Sequence, residues 1–337
     1  MKDIDSQPSW FMFHYYREQS KIIENFNGFG YESYSVMQKR PIQIGIYYLV
    51  EFARQEEQRE SRSSTVGSQR CSRIQMEGKV ALVTGGAQGI GKAIVRGLME
   101  KGASVALIDI AVEKGEEYKN VLDKEFGSDK SLFIKCDVTK KDQLKDAFQK
   151  TVERFGKLHI VINNAGINNE KNWEKTINVN LTGMIRGTHL GLKYMRTQNG
   201  GEGGLILNMS SLAGIMPVAH QPVYTASKFG IIGFTRAIAA ASDVGQYGVR
   251  INTICPGFVN TDLLQTIDKE ENMGEYFQYR DNIKAMMDQY GIHEPTSVVQ
   301  GVIDLIENEN LNGAVMKITV SAGIHYEEYG PQYQPKM

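Results

Sequence analysis

From Lys79 onward, short apolar runs alternate with longer stretches of helical spacing, and this alternation constrains the fold more than any other feature of the chain. The runs occupy residues 80–84 (VALVT), 105–109 (VALID), 132–136 (LFIKC), 159–163 (HIVIN), 205–209 (LILNM), 249–255 (VRINTIC) and 315–319 (VMKIT). Between them lie helix-like stretches such as 90–101, 140–155, 173–195, 224–244 and 297–306. A strand that is apolar at nearly every position is buried on both faces, which is the signature of a parallel sheet covered by helices. With right-handed crossovers, seven such strands make a doubly wound α/β fold whose ligand lies beyond the carboxyl ends of the strands.

The first predicted strand runs directly into TGGAQGIG (84–91), and a helical pattern follows at once. Gly85, Gly89 and Gly91 allow a tight turn and a close backbone approach. The amides of Gln88, Gly89 and Ile90, at the start of the helix, offer free N–H groups and a positive dipole end to a pyrophosphate. A glycine loop between a strand and a helix is the dinucleotide-binding arrangement of a Rossmann domain. Asp109 closes the second strand, 18 residues beyond Gly91, where a carboxylate bonds the adenosine ribose and repels a 2′-phosphate. No arginine or lysine lies in the loop or directly after Asp109. The cofactor indicated is therefore NAD. Asp137 and Val138, at the same edge of the sheet, are assigned to the adenine, although an aspartate after a strand also serves as a helix cap.

Composition narrows the partners. A formal net charge of −1 with 23% charged residues gives no field to attract nucleic acid or an anionic membrane. Cys71, Cys136 and Cys255 are odd in number and widely spaced, which suits reduced thiols in the cytoplasm. The six histidines show no metal-ligand spacing, so no metal site is expected. No apolar run approaches the roughly 20 residues of a membrane span. The longest, IQIGIYYLV (42–50), is too short and carries a glutamine. Residues 1–75 combine an aromatic-rich start with a Gln/Glu/Arg/Ser tract (54–70), match neither a signal nor a transit peptide, and read as an irregular or partly helical extension outside the α/β domain. Met76 follows, and the extension is expected to be an alternative or artefactual addition.

In PVYTASKFG (222–230), Tyr224 and Lys228 stand four residues apart at a helix start. That spacing puts both side chains on one face with Cβ atoms about 6 Å apart. An ammonium beside a phenol favours the phenolate, giving a base that works near neutral pH. With 16 tyrosines in the chain, a single such pair arises about once by chance, so its meaning rests on company.

The company is present. NNAG (163–166), including Asn164, follows the fourth strand; Asn180 lies in NVNLTG (178–183); Ser211 lies in NMSSLAG (208–214), thirteen residues before Tyr224. With the glycine loop and Tyr-x-x-x-Lys, this ordered set resembles the short-chain dehydrogenase/reductase family over residues 76–325. The stretches AGINNEKNWEKT (165–176), ICPGFVNT (254–261) and LNGAVMKIT (311–319) further resemble members that oxidise the allylic hydroxyl of a prostaglandin or hydroxylated fatty acid. The resemblance implies that Tyr224 is the general base, that Lys228 lowers its pKa and holds the nicotinamide ribose, and that Ser211 orients the substrate oxygen. It also implies that Asn180 holds a proton-relaying water, that Gln221 is a second donor to the substrate, and that Val259 and Thr261 approach the nicotinamide carboxamide. Residues 262–291 become a lid above the site, in which Tyr276, Tyr279, Ile283, Met286 and Tyr290 form one apolar helical face, and Tyr290 contacts substrate. Arg280 or Lys284 is a candidate for meeting a fatty-acid carboxylate. Two departures stand out: Ile110 replaces an aromatic residue after Asp109, and His220 replaces a polar amide. A homodimer through helices near 174–198 and 224–244, and a tail over 326–337, complete the expectation. Two other readings stay open, a family member acting on another lipid or secondary alcohol and a catalytically silent NAD-binding protein; the intact Ser211, Tyr224 and Lys228 argue against the second.

Overall fold

The computed structural model describes residues 76–329. The expected N-terminal extension and the last residues of the tail lie outside them.

All seven expected strands form, as β1 (Val80–Thr84), β2 (Ser104–Asp109), β3 (Ser131–Lys135), β4 (Ile160–Asn163), β5 (Gly204–Met209), β6 (Val249–Pro256) and β9 (Val315–Thr319). They pair in parallel, in the order β9-β6-β5-β4-β1-β2-β3. The helices between them are α1 (Gly89–Glu100), α2 (Val112–Phe126), α3 (Lys141–Phe155), α4 (Trp173–Ile177), α5 (Met184–Met195), α6 (Pro222–Val244) and, before β9, α9 (Pro295–Glu307).

The two-residue period of the strands separates two cores. Ala81 and Val83 point to one face, against Ile94 and Leu98 of α1 and Val298 and Val302 of α9. Val80 and Leu82 point to the other, against Leu144 and Phe148 of α3 and Leu192 and Met195 of α5. Each fully buried Leu, Ile or Phe contributes about 1.5–3 kcal/mol, so dozens of such residues hold the sheet rigid. β1 pairs with β2 on one side and β4 on the other. The direction of winding reverses there, and a crevice opens at the carboxyl ends of those strands.

Three features differ from the sequence expectation. The sheet gains an eighth, antiparallel edge strand, β10 (Gly323–Tyr326), paired with β9. It was not legible because an edge strand with one wet face has no apolar run. The domain consequently passes the expected boundary at residue 325: the Glu327 amide donates to the Val315 carbonyl, and the Arg236 guanidinium lies 3.6 Å from the Tyr329 ring centre. Second, the helix expected over 173–195 is interrupted by a π-helical turn, Asn178–Gly183, between α4 and α5. Third, a short parallel ladder, β7 (Phe258–Val259) with β8 (Ile292–His293), clips together the two ends of the lid.

Candidate active site

The cofactor floor is built mainly from backbone. Thr84, at the end of β1, accepts hydrogen bonds through its hydroxyl from the amides of Asn164 and Ala165 after β4, each at 3.0 Å. Asn164 returns its side-chain amide to the carbonyls of Thr84 and Gly85 at 3.0 and 3.2 Å. Gly85 and Gly89 adopt φ of +66° and +54°, which a side chain resists. A Cβ at Gly91 would lie 2.0 Å from the Gly85 carbonyl oxygen. Gly91 therefore does not face the cavity; it lets α1 press against the loop that does.

The amino end of α1 has no side-chain cap and no acidic residue in its first turn, leaving its amides to an anion. Asp109 is buried, and its two carboxylate oxygens accept from the amides of Ala87 and Ala111, each at 3.0 Å. An uncapped helix start, a close-packed glycine turn and a fixed carboxylate fit a dinucleotide. Lys114, five residues beyond Asp109, brings a cation back to the glycine loop, which the sequence did not suggest. Its ammonium is held by Gln88 at 2.6 Å and Asp262 at 3.0 Å.

Floor and lid enclose one cavity of about 1060 Å³. Gly85, Gln88, Gly89, Ile90, Asp109, Asp137, Val138 and Asn164 line its cofactor end, with Val259 and Thr261. Ser211, Gln221, Tyr224, Lys228 and Tyr290 line it as well. Asp137 does not cap a helix: its carboxylate accepts from the amide and hydroxyl of Thr139 at 2.9 and 2.7 Å, closing a turn, while the cap position of α3 is Lys140.

Tyr224 and Lys228 lie in the first turns of α6, and the Lys228 ammonium is 5.3 Å from the Tyr224 ring centre. The helix starts two residues earlier than its tyrosine because Pro222 suits the first helical position. Ser211, just after β5, lines the same cavity as the phenol, and its hydroxyl accepts from the Ala213 amide at 3.2 Å. The electrostatics correct one expectation. Burial pushes Tyr224 up to about 12, with Ser211 opposing, and pushes Lys228 down to about 8. The lysine does not win because desolvation penalises both charged forms; its ammonium meanwhile donates to the Met209 carbonyl at 3.0 Å. Spacing placed the two groups together; the dielectric around them was invisible in the sequence.

Asn180 corrects a second expectation. It lies in the π-helical turn, is buried, and does not line the cavity. Its oxygen accepts from the Ile167 amide at 2.8 Å, and its nitrogen donates to the Ile167 carbonyl at 2.9 Å and to Ser227 at 3.2 Å. Its side chain thus ties the loop after β4 to α6, and both amide protons are committed.

The lid is a series of short pieces: 3₁₀ turns at Leu264–Asp268 and Gly274–Tyr279, α7 (Glu270–Met273), and α8 (Arg280–Tyr290). The single apolar face divides. Ile283 joins Ile267, Met273 and Met287 in a small core of the lid's own, with Tyr276 against it. Met286 and Tyr290 line the cavity, and Tyr279 is exposed on a 3₁₀ turn. Neither Arg280 nor Lys284 reaches the cavity: Arg280 lies over the Phe277 ring and Lys284 pairs with Asp268 at 2.8 Å. Ile110, 65% exposed, borders the cofactor end, whereas His220 is buried away from the cavity. Sequence reasoning missed Met216, His293, Lys317 and His325, which reach the cavity from separate segments and share no motif.

Among the described residues, no cluster of histidine, cysteine and carboxylate side chains could hold a metal, and no helix is long and apolar enough to cross a membrane.

The family model described as short chain dehydrogenase matches residues 79–272. The chain is 59% identical over 256 residues to 15-hydroxyprostaglandin dehydrogenase [NAD(+)] of Homo sapiens, covering 76% of this chain and 96% of that protein. It is 58% identical over 256 residues to the enzyme of the same name from Mus musculus, covering 76% and 95%. Among solved structures, levodione reductase superposes with a TM-score of 0.62 at 29% identity, covering 72% of this chain and 96% of that one. Fold, motif order and extent of match agree, and the chain belongs to the short-chain dehydrogenase family.

Proposed function

We infer that this chain is an NAD-dependent oxidoreductase that oxidises an allylic secondary alcohol of a prostaglandin or related hydroxylated fatty acid to the ketone. One observation carries the reading: the half-buried Tyr224 and Ser211 and the buried Lys228 open onto the same cavity that the glycine loop and Asp109 line. The match to 15-hydroxyprostaglandin dehydrogenase over 256 residues supports the substrate class, as do the apolar walls at Ile215, Met216, Phe258, Leu264 and Met286.

The residues act as follows. Ser211 and Gln221 bond the alcohol oxygen and set its distance from the phenol. Tyr224 accepts the hydroxyl proton, and the carbinol hydrogen leaves as hydride, so that the carbon is oxidised by two electrons. NAD supplies the hydride-accepting ring and, while oxidised, a positive charge. Lys228, whose ammonium is 5.3 Å from the Tyr224 ring centre, adds a second positive charge; together these offset the burial that otherwise keeps the phenol neutral. Asp137 and Val138 receive the adenine, and Asn180 acts by holding the Ile167 loop against α6.

The test is NADH absorbance with a panel of prostaglandins, hydroxylated fatty acids and short secondary alcohols. Turnover of the lipids with poor use of the short alcohols is expected. Equal efficiency on a small alcohol removes the lipid assignment, and silence on the whole panel removes the enzymatic one.

Three further points belong to this reading. Residues 76–329 carry the activity, so a chain starting at Met76 should match the full chain in kcat and KM. Phe229 and Val244, apolar and exposed on α6, suit a homodimer through that helix, which sedimentation velocity tests. Cys136 and Cys255 are free and buried, with both thiols pushed up to about 12 by burial, as suits a chain working in the reducing cytoplasm; fractionation of the expressing cells tests that location.

A further inference from the structure

Catalysis by Tyr224 requires that its helix start at a fixed point, yet α6 has no cap of its own. Gln221, at the capping position, makes no side-chain cap bond, and Pro222 has no N–H to offer. The first free amides are those of Val223 and Tyr224. Both donate to one carboxylate, that of Glu170, at 2.9 Å each, one to each oxygen. Glu170 is 53 residues earlier in the chain, in the loop after β4, and only 5% exposed.

A carboxylate at a helix start is doubly favourable there, because it accepts charge-assisted bonds and faces the positive end of the dipole. Burial nevertheless raises the pKa of Glu170, while its two amide partners pull it down. So costly a group in a dry position marks a site where geometry matters.

The carboxylate is itself held from behind. The Glu170 and Lys171 amides donate to the Asn272 carbonyl of the lid at 2.8 and 3.1 Å. The Asn169 side chain donates to the Asn272 side-chain oxygen at 3.0 Å, and the Asn169 carbonyl accepts from the Thr176 hydroxyl of α4 at 2.7 Å. The backbone that presents the carboxylate is therefore pinned on two sides before it meets α6.

We propose that Glu170 is a positioning residue for the reaction, its carboxylate clamping the amides of Val223 and Tyr224 so that the phenol keeps its place against Ser211. The inference rests on Tyr224 being the base. It concerns a residue that touches neither alcohol nor cofactor, since Glu170 does not line the cavity.

The test compares Glu170→Gln, Glu170→Asp and, as a control, Thr235→Val. Thr235 is buried midway along the same helix and accepts from the Asn208 side chain at 2.9 Å, so its loss destabilises α6 away from the site. In Glu170→Gln the amide nitrogen confronts one of the two backbone N–H groups. Hydrogen exchange at the Val223 and Tyr224 amides should then rise about 10- to 100-fold, while the Glu170 and Lys171 amides stay protected. For the best alcohol of the panel, kcat should fall about 10- to 100-fold, with KM and the NAD dissociation constant within about threefold. Glu170→Asp should recover part of both effects, and Thr235→Val should lower the melting temperature while leaving kcat per folded site unchanged. Unchanged exchange at Val223 and Tyr224 in Glu170→Gln overturns the clamp. A kcat loss that Thr235→Val reproduces at equal melting temperature reduces Glu170 to a stabilising residue and also overturns the proposal. If no alcohol is oxidised by the unaltered protein, the dehydrogenase reading fails on its own, and the exchange measurement still decides the clamp.

Discussion

The two walls of the cavity are made by different means. On the cofactor side, the ends of β1, β2 and β4 bring backbone so close together that a Cβ at Gly91 would stand 2.0 Å from a carbonyl oxygen. Behind them lies a core of strand residues that are almost entirely buried. On the substrate side, the lid consists of 3₁₀ turns and short helices around four buried residues, Ile267, Met273, Ile283 and Met287. The first wall tolerates no change of shape because its neighbours are covalent backbone. The second, lined by side chains such as Met286 and Tyr290, can repack around different tails. A dehydrogenase needs both: a fixed ring position for the hydride and an adaptable surface for the alcohol's remainder.

The sharpest way to locate the chemistry on the rigid side is Tyr224→Phe. It keeps the ring and its packing but removes the proton acceptor, so kcat should fall about 10³-fold or more with NAD affinity retained. Isothermal titration of NAD beside the NADH assay reads both; substantial residual turnover moves the base elsewhere.

Gly91→Ala attacks the floor itself. The added methyl must displace the Gly85 carbonyl, so NAD affinity should drop about 100-fold, and stability by about 1–3 kcal/mol as in other overpacked sites. Near-normal binding would mean that the floor yields as readily as the lid.

Asp109→Ala removes a buried carboxylate and leaves the Ala87 and Ala111 amides unpaired, which should cost about 10- to 100-fold in NAD affinity. Preference over NADP should narrow with it; comparing the two dissociation constants decides. A preference left intact assigns discrimination to another group.

Burial of Lys228 predicts a pH dependence of stability. Its folded pKa, about 8, lies below its ordinary value of 10.5, so between those values the unfolded chain binds more protons. The Lys228 contribution to the stability of the cofactor-free protein should therefore rise with pH across that window, by about 2 kcal/mol between pH 7 and 10, set against the buried Cys136 and Cys255 thiols, which are pushed up to about 12 and oppose it above pH 9. Tyr224, pushed up to about 12, opposes this only above pH 10, where the unfolded chain loses its phenolic proton first. Denaturant melts of the protein and of Lys228→Met, which should lack this contribution, provide the difference.

The smallest effect tests the lid. Met286→Ala should raise KM about threefold for a long lipid alcohol and leave a short alcohol and NAD unaffected, because the lost contacts face the tail. An equal loss for both alcohols would make the lid as exacting as the floor.

The difference between the walls also explains what could be read in advance. The strands were legible because burial on both faces writes an apolar residue at nearly every position, and the glycine loop because only glycine meets its sterics. The lid's continuous apolar face was not, since residues 274–279 form a 3₁₀ turn and the expected stripe splits between Ile283 in the lid core and Met286 at the cavity. Asn180 was expected at the site, but the direction of its side chain, toward Ile167 and Ser227, depended on a π-helical turn with no signature in composition. Glu170 sat unnoticed in a charged stretch because its partners lie 53 and 54 residues further along.

By itself, the sequence determined the alternation of strand and helix, the glycines that admit a dinucleotide, and the pairing of Tyr224 with Lys228 on one helix face. These follow from local sterics and periodicity, which act over a few residues. Only the tertiary structure decided how dry that pair is, which carboxylate starts its helix, and which lid side chains line the cavity. Desolvation and long-range hydrogen bonding depend on what packs across the fold, and no spacing along the chain records that.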